Sequence, residues 1–290
     1  MKTRFKLVLL ICCFSISFVE AQDTIPFTLG NDYRIYIKAT INDSEPLDFI
    51  FDTGANAMVV NTSKTDSKLN LEFDGSTENT GANGVSNQKV SSLNKIQVGK
   101  FLRKNEELIG IAYPNSYVFD GVIGYPFFED YLVEINYELQ KLILHQSKKS
   151  IQDIDSYEKL KMTMTGEVPF IDFTVFKGEK GVEFPAMIDT GFNGTLIVYH
   201  NIVSKFDLAD QYEIKRISQS SGTDGNVIES SQVIIPKAML GNNIIENLDV
   251  NLNLTPASTD FTAILGGTVL KEFNWIISFK NSIVYVKPII

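Results

Sequence analysis

Two acidic residues interrupt apolar runs of the sequence in the same way, and this repetition is the strongest chemical signal in the chain. The apolar residues 49–51 lead directly into Asp-Thr-Gly at 52–54, and the apolar residues 186–188 lead into Asp-Thr-Gly at 189–191. An ionised carboxylate in an apolar strand is costly to bury unless hydrogen bonds or a partner compensate. Each motif also has an asparagine two residues beyond its glycine. The repetition therefore predicts that the two carboxylates serve one site.

Two carboxylates in one site suggest acid–base chemistry on water. Like charges a few ångströms apart cannot both ionise, so the pair keeps one proton and holds a water molecule. One carboxylate takes a proton from that water while the other donates a proton to the substrate carbonyl. Such hydrolysis needs no metal, no histidine and no covalent intermediate. Asp52 and Asp189 are therefore the candidate catalytic residues.

The composition argues against other kinds of site. The chain has 290 residues and two histidines, His145 and His200, while its two cysteines, Cys12 and Cys13, lie near the N-terminus. With so few histidines and cysteines, a metal site, a thiol nucleophile or a Ser-His-Asp triad is disfavoured. We therefore expect neither a metal nor another cofactor. The formal net charge of -9 argues against nucleic acid as a partner.

The N-terminal segment is typical of a secretory signal peptide. Three basic residues lie within the first six positions, and the largely apolar stretch 7–19 is too short to span a bilayer comfortably. We expect cleavage after Ala21, no stable membrane insertion once residues 1–21 are removed, and a secreted or periplasmic protein without cysteine. The alternative is an uncleaved membrane anchor.

The second half of the sequence repeats the first. Asp189 follows Asp52 by 189 - 52 = 137 residues, and the glycine of Ile-Leu-Gly at 264–266 follows that of Val-Ile-Gly at 122–124 by 266 - 124 = 142. An internal repeat of this length indicates two copies of one unit of roughly 130 residues and excludes a solenoid, whose repeats are shorter.

Strand signals dominate both copies. Apolar and polar residues alternate over 33–41, as in a half-buried strand. A polar and charged stretch over about 145–161 is typical of a linker. We therefore predict an N-terminal half at 22–150 and a C-terminal half at 151–290.

These motifs together resemble the aspartic peptidases. The pattern is Asp-Thr-Gly after an apolar strand, then a glycine-containing hairpin, then two apolar residues and a glycine before a short helix. The closest resemblance is to the retropepsin-like type, with two copies in one chain, over about 25–145 and 165–288. The sequences at 120–124 and 189–194 are similar to bacterial members. The resemblance implies a mainly β fold of two homologous retropepsin-like (acid protease) β-barrel halves related by pseudo-two-fold symmetry, with the active site between them.

The resemblance also implies a role for each matching residue. Asp52 and Asp189 match the catalytic aspartates. Thr53 and Thr190 match the threonines whose hydroxyl groups brace the two loops against each other.

Glycines have three further roles in the family. Some let backbone N–H groups approach the carboxylates, some pack behind the loops where a side chain would clash, and some lie in flap hairpins that close over substrate. In that order, the matching positions are Gly54 and Gly191, then Gly124 and Gly266, then Gly81, Gly84, Gly222 and Gly225.

The chain departs from the pepsin-type pattern directly after each motif. Pepsin-type enzymes carry Ser or Thr there, whereas this chain has Ala55 and Phe192. Alanine is the retroviral residue, but the bulk of Phe192 raises the question of whether the second loop keeps its geometry.

The sequence thus predicts an aspartic endopeptidase that hydrolyses peptide bonds through a water activated by a shared-proton Asp52/Asp189 dyad. Its substrate would be a peptide or protein, and it would act as a monomer. The alternative is a non-catalytic peptide-binding or scaffolding protein that retains the fold, which Phe192 would favour. A third reading pairs aspartates of two chains, and the internal repeat argues against it.

Overall fold

The protein is mainly β, as predicted. A computed structural model describes residues 23–81, 84–221, 227–256 and 260–289. The strands are β1 (Asp23–Pro26), β2 (Thr28–Leu29), β3 (Ile35–Ile41), β4 (Leu47–Asp52), β5 (Met58–Asn61), β6 (Gly75–Gly81), β7 (Gly84–Val98), β8 (Phe101–Ile111), β9 (Gly121–Gly124), β10 (Leu132–Asn136), β11 (Lys141–His145), β12 (Glu158–Thr165), β13 (Val168–Lys177), β14 (Lys180–Ile188), β15 (Leu196–Val198), β16 (Ile214–Ser221), β17 (Val227–Leu240), β18 (Asn243–Asn253), β19 (Ala263–Leu265), β20 (Phe273–Ser278) and β21 (Ile283–Pro288).

Helices are short. The α-helices are α1 (Thr62–Thr65), α2 (His200–Lys205) and α3 (Gly267–Leu270), and single 3-10 turns cover Tyr125–Phe128, Lys148–Ser150 and Ile154–Ser156. Within the described ranges no helix is long and apolar enough to cross a membrane.

The strands form two sheets. In the first, the order is β2-β3-β4-β9-β5-β8-β7-β6. In the second, the order is β1-β11-β10-β20-β21-β12-β13-β14-β19-β15-β18-β17-β16. The predicted alternation of buried and exposed residues is confirmed in β3, although the strand begins at Ile35 rather than at residue 33.

Each Asp-Thr-Gly motif begins at the end of a strand that pairs in the same way. Strand β4 runs parallel to β9, which pairs antiparallel with β5. Strand β14 runs parallel to β19, which pairs antiparallel with β15. Parallel neighbours need a long crossover, and in each case the intervening strands supply it. The apolar-apolar-Gly segment of each copy therefore lies next to the strand that leads into its Asp-Thr-Gly motif.

Strands from before and after residue 150 share the second sheet. Strand β10 pairs antiparallel with β20, with Ile135 opposite Trp275. Tyr125 and Phe279 stack with ring centroids 4.4 Å apart. One buried apolar cluster includes both Phe51 and Ile188, the residues that precede the two motifs. A single core thus underlies both aspartates and fixes their relative position.

Candidate active site

The fold brings the two predicted aspartates together. Asp52 is the last residue of β4, and Asp189 follows the last residue of β14. Their carboxyl groups lie next to each other and interact directly. A Cβ atom added at Gly54 would lie 2.8 Å from Cγ of Asp189, and one added at Gly191 would overlap the carboxyl group of Asp52. Only glycine therefore lets each loop approach the opposite carboxylate this closely.

The two threonines hold the loops in a reciprocal set of hydrogen bonds. The Thr53 N–H donates to Oγ1 of Thr190 at 3.0 Å, and the Thr190 N–H donates to Oγ1 of Thr53 at 3.1 Å. Each hydroxyl then donates across the site at 2.7 Å, from Thr53 to the Ile188 carbonyl and from Thr190 to the Phe51 carbonyl. Both threonines are buried. Both N–H groups and both hydroxyls thus have partners, which fixes the spacing of the aspartates.

Backbone N–H groups of the motif loops orient both carboxylates. Oδ1 of Asp52 accepts the N–H of Gly54 at 2.8 Å. Oδ1 of Asp189 accepts two, from Gly191 and from Phe192, both at 2.8 Å. These donors orient each carboxylate, and they leave the other oxygen of each group available to a partner.

The environment raises the pKa of both carboxyl groups. For Asp189 the rise is large, because burial disfavours its charged form and the negative charge of Asp52 lies beside it. For Asp52 burial also raises the pKa, but the N–H of Gly54, the carboxyl group of Asp189 and then the positive charge of Arg34 act in the opposite direction. The two groups therefore titrate as one pair that retains a proton above the usual range of an aspartate.

Phe192 does not disturb the second loop. Its ring packs over Gly194 and Gly266, where a Cβ atom on either glycine would overlap it. The ring also lies against a buried cluster that includes Phe170, Met187 and Tyr199. Because its N–H donates to Asp189 while its ring packs into this cluster, the bulky side chain is compatible with the loop geometry.

Gly124 and Gly266 lie behind the loops. A Cβ atom at Gly124 would stand 2.5 Å from the carbonyl oxygens of both Ala55 and Ala57, and one at Gly266 would stand 2.8 Å from the Phe192 carbonyl oxygen. The Gly124 N–H also donates to the Ala57 carbonyl at 3.1 Å. A methyl group at these positions would push on backbone, which cannot move without moving the loop.

Gly124→Ala should therefore destabilise the protein by about 1–3 kcal/mol or more, as overpacking of a core does. Gly75→Ala is the matched control, because a Cβ atom there would meet only Val90 Cβ at 3.9 Å, and we expect a change within about 0.5 kcal/mol. Urea denaturation followed by circular dichroism measures both. Equal stability of the two variants would show that the loop tolerates a side chain behind it.

The predicted flap residues are only partly described. Strand β6 ends at Gly81 and β7 begins at Gly84, and these two glycines pair across the hairpin. Gly222 and Gly225 lie outside the described residues. The assignment of both hairpins as flaps thus stays a prediction.

Arg34 is the site residue that the sequence analysis missed. Its Nε donates to the carbonyl of Gly191 at 2.6 Å, and its Nη1 pairs with Oδ2 of Asp32 at 3.0 Å. Tyr36 donates its hydroxyl to the same Asp32 oxygen at 2.8 Å. The alternating pattern had assigned Arg34 to the polar face of a strand. The available signal was Asp-x-Arg-x-Tyr at a turn, which is not specific.

Aromatic residues between β8 and β9 complete this side of the site. Tyr113 contacts Tyr117 and Phe119, with ring centroids 5.4 and 5.0 Å away. Burial and the charge of Asp52 raise the pKa of Tyr113 to about 12. The Arg34 guanidinium lies 5.9 Å from the Tyr117 ring centroid. A cavity of about 320 Å³ here is lined by Asp32, Arg34, Tyr36, Ser116, Tyr117, Val118, Phe119 and Asn193.

The two histidines lie in different surroundings. His145 is buried in β11, and its Nε2 lies 2.8 Å from Oε2 of Glu134. His200 begins α2, where it contacts Ser204. In the described part of the chain no group of three or more His, Cys, Asp or Glu side chains is arranged to hold a metal ion.

Comparison with known families agrees with the first motif. A family model described as aspartyl protease matches residues 37–127, which include Asp52 and Gly124. The resemblance to retropepsin-like aspartyl proteases is confirmed by this match, while Asp189 lies outside the matched stretch. No curated protein matches the chain significantly.

Proposed function

We infer that this chain, a member of the aspartyl protease family by its residues 37–127, is an aspartic endopeptidase that uses Asp52 and Asp189 as a shared-proton dyad. The single observation that carries this proposal is the pair of adjacent carboxyl groups held by the reciprocal threonine contacts. The family match supports a peptidase in general, and the geometry of the second motif supports the finer mechanism.

The reaction would proceed by general acid–base catalysis. The ionised carboxylate accepts a proton from a water molecule as the water oxygen bonds to the peptide carbonyl carbon. The protonated carboxyl gives its proton to the carbonyl oxygen, which produces a tetrahedral gem-diol. The C–N bond then breaks, the nitrogen takes a proton from the dyad, and the products leave as carboxylic acid and amine. No bond forms between enzyme and substrate at any step.

The proposal includes two similar halves, at 22–150 and 151–290, related by a pseudo-two-fold axis through the dyad. This symmetry is supported by the strand pairing, because β4, β9 and β5 pair in the same order and directions as β14, β19 and β15. Because one chain carries both aspartates, the proposed active species is a monomer.

Secretion or a periplasmic location is proposed from the sequence alone, since residues 1–21 lie outside the described part. The peptide or protein substrate is proposed from the family.

The test is cleavage of a peptide mixture by the purified protein, followed by mass spectrometry. We expect new peptide termini that a statine-containing transition-state analogue suppresses and that a metal chelator or a serine-directed reagent leaves unchanged. Binding of peptides without any cleavage at pH 3–8 would favour the non-catalytic alternative. Cleavage that resists the statine analogue would refute the aspartic mechanism.

The pH dependence of cleavage should be bell-shaped, with an optimum at roughly pH 4–6. Below the optimum both carboxyl groups are protonated and no base remains, whereas above it both are ionised and no acid remains. Because burial raises the pKa of both groups, the optimum should lie above that of pepsin. The measurement is kcat/KM from pH 2 to 9. A single sigmoidal profile that still rises at about pH 8 would assign the chemistry to another group.

A further inference from the structure

We propose that Arg34 is a positioning residue that makes the two aspartates inequivalent, so that Asp52 is the ionised member of the dyad and Asp189 carries the shared proton. The inference rests on the proposed function and extends it, because it assigns the base to Asp52 and the acid to Asp189.

The contact of Arg34 reaches across the site. The residue lies just before β3 in the first sheet, whereas its acceptor, the carbonyl of Gly191, belongs to the loop that carries Asp189. Gly191 also packs directly against the carboxyl group of Asp52, which a Cβ atom at this position would overlap. One residue therefore separates the guanidinium from Asp52, and the cation fixes the loop that covers this carboxylate.

The guanidinium is held in place before any substrate arrives. Asp32 binds its Nη1 at 3.0 Å and also accepts the Arg34 backbone N–H at 3.3 Å. Tyr36 fixes Asp32, and the Tyr117 ring lies beside the guanidinium. The Arg34 side chain is only 14% exposed, so its charge is screened less by water than that of a surface arginine.

In the part of the chain that the structure describes, the second half has no comparable cation. In the strand register, Tyr36 lies opposite Ile50, two residues before Asp52, and Phe170 lies opposite Met187, two residues before Asp189. The counterpart of Arg34 is therefore Val168, a buried apolar residue of β13. Among the described residues no side chain donates a hydrogen bond to the carbonyl of Gly54, the counterpart of Gly191. The positive charge therefore acts on one side of the dyad alone.

The charged and titratable groups that face the dyad favour the same assignment. Asp52 faces Asp189, Arg34 and Tyr113, and Arg34 lowers its pKa. Asp189 faces Asp52 and Tyr199, and the charge of Asp52 raises its pKa. Asp32 binds Nη1, while Nε of Arg34 is directed to Gly191, so the countercharge lies on a different edge of the guanidinium. The proton is thus retained longer by Asp189.

The test compares Arg34→Met, Arg34→Lys and Arg103→Met. Arg103 is the matched control, because its Nη1 also donates to a backbone carbonyl, that of Pro126 at 2.9 Å, away from the aspartates. Two quantities are measured for each protein, the pH profile of kcat/KM and the carboxyl ¹³C chemical shifts of labelled aspartates against pH. The carboxyl signal that is absent from the spectrum of Asp52→Asn is assigned to Asp52.

Arg34→Met should move the acidic limb of the profile to higher pH and leave the alkaline limb in place. The acidic limb reports the ionisation of Asp52, and the substitution removes the cation that favours this ionisation. The alkaline limb reports the loss of the proton from Asp189, and Asp52 is already ionised when that proton leaves. We expect kcat/KM on the acidic limb to fall on the order of tenfold, about 1.4 kcal/mol of transition-state stabilisation. Arg34→Lys should restore most of the limb position, because it keeps the charge. Arg103→Met should leave both limbs unchanged.

A uniform loss of activity at every pH, with both limbs in place, would mean that Arg34 only stabilises the fold and would overturn the inference. If the wild-type protein cleaves no peptide, the proposed function fails, but the ¹³C titration still tests whether Arg34 makes the two aspartates inequivalent. An unchanged titration of Asp52 in Arg34→Met would overturn the inference about Arg34 in that case as well. Circular dichroism checks that each variant is folded, and Arg34→Gln, which also removes the charge, replaces Arg34→Met if that variant does not fold.

Discussion

Asp52→Asn and Asp189→Asn should each reduce kcat/KM for peptide hydrolysis by at least about a thousandfold, and the double variant should be little worse than either single one. In the proposed mechanism the two carboxyl groups share one proton and one water, so the loss of either removes the acid–base pair as a unit. Steady-state cleavage of one fluorogenic peptide by the three variants measures this directly.

Stability separates loss of chemistry from loss of fold in these variants. Since burial raises the folded-state pKa of both groups, their contribution to folding is most favourable below the pKa of the unfolded chain and is lost as pH rises through the folded-state pKa. Asparagine does not ionise, so both variants should be at least as stable as the wild type at pH 7. Asp172→Asn, which alters an exposed carboxylate on β13, is the control and should keep full activity. Retention of most of the wild-type rate by either dyad variant would refute the shared-proton mechanism.

The second large effect concerns the threonines. Thr53→Val and Thr190→Val should each destabilise the protein by about 2–5 kcal/mol. Each substitution leaves one buried N–H and one buried C=O without a partner, at about 1–3 kcal/mol per group. The double variant should deviate from additivity by more than about 0.5 kcal/mol, because the two side chains belong to one network. Urea denaturation provides all four corners of the cycle.

Thr53→Ser and Thr190→Ser are the matched controls for the hydroxyl group. They keep the donor and the acceptor and remove only a methyl group, so they should retain most of the stability and of the activity. Equal losses in the serine and valine variants would show that packing of the methyl group, rather than hydrogen bonding, holds the loops together.

The sequence indicated Asp52 and Asp189 as a candidate pair because both motifs repeat together with their surroundings. An aspartate at the end of an apolar strand, a hydroxyl residue and a glycine are required together by burial, hydrogen bonding and close approach, and this requirement is visible in both motifs. The mainly β class followed from the alternation of apolar and polar residues, which β3 shows.

The remaining features depend on contacts between distant residues. Arg34 and Gly191 are 157 residues apart, and no local pattern indicates that they meet. The orientation of the Phe192 ring depends on the apolar cluster behind its loop. The size of the side chain alone therefore could not show whether it is compatible with the geometry of the loop. The pairing of β10 with β20 likewise joins segments that are far apart in the chain.

The most direct test of the central claim, that one molecule supplies both aspartates, is to mix the two dyad variants. Equimolar Asp52→Asn and Asp189→Asn are incubated together, and peptide cleavage is compared with that of each variant alone and of the wild type over a dilution series. If the dyad forms within one chain, the mixture stays as inactive as its components and the wild-type specific activity does not change on dilution. Recovery of activity in the mixture, with wild-type specific activity that falls on dilution, would mean that the site is built from two chains and would contradict the account.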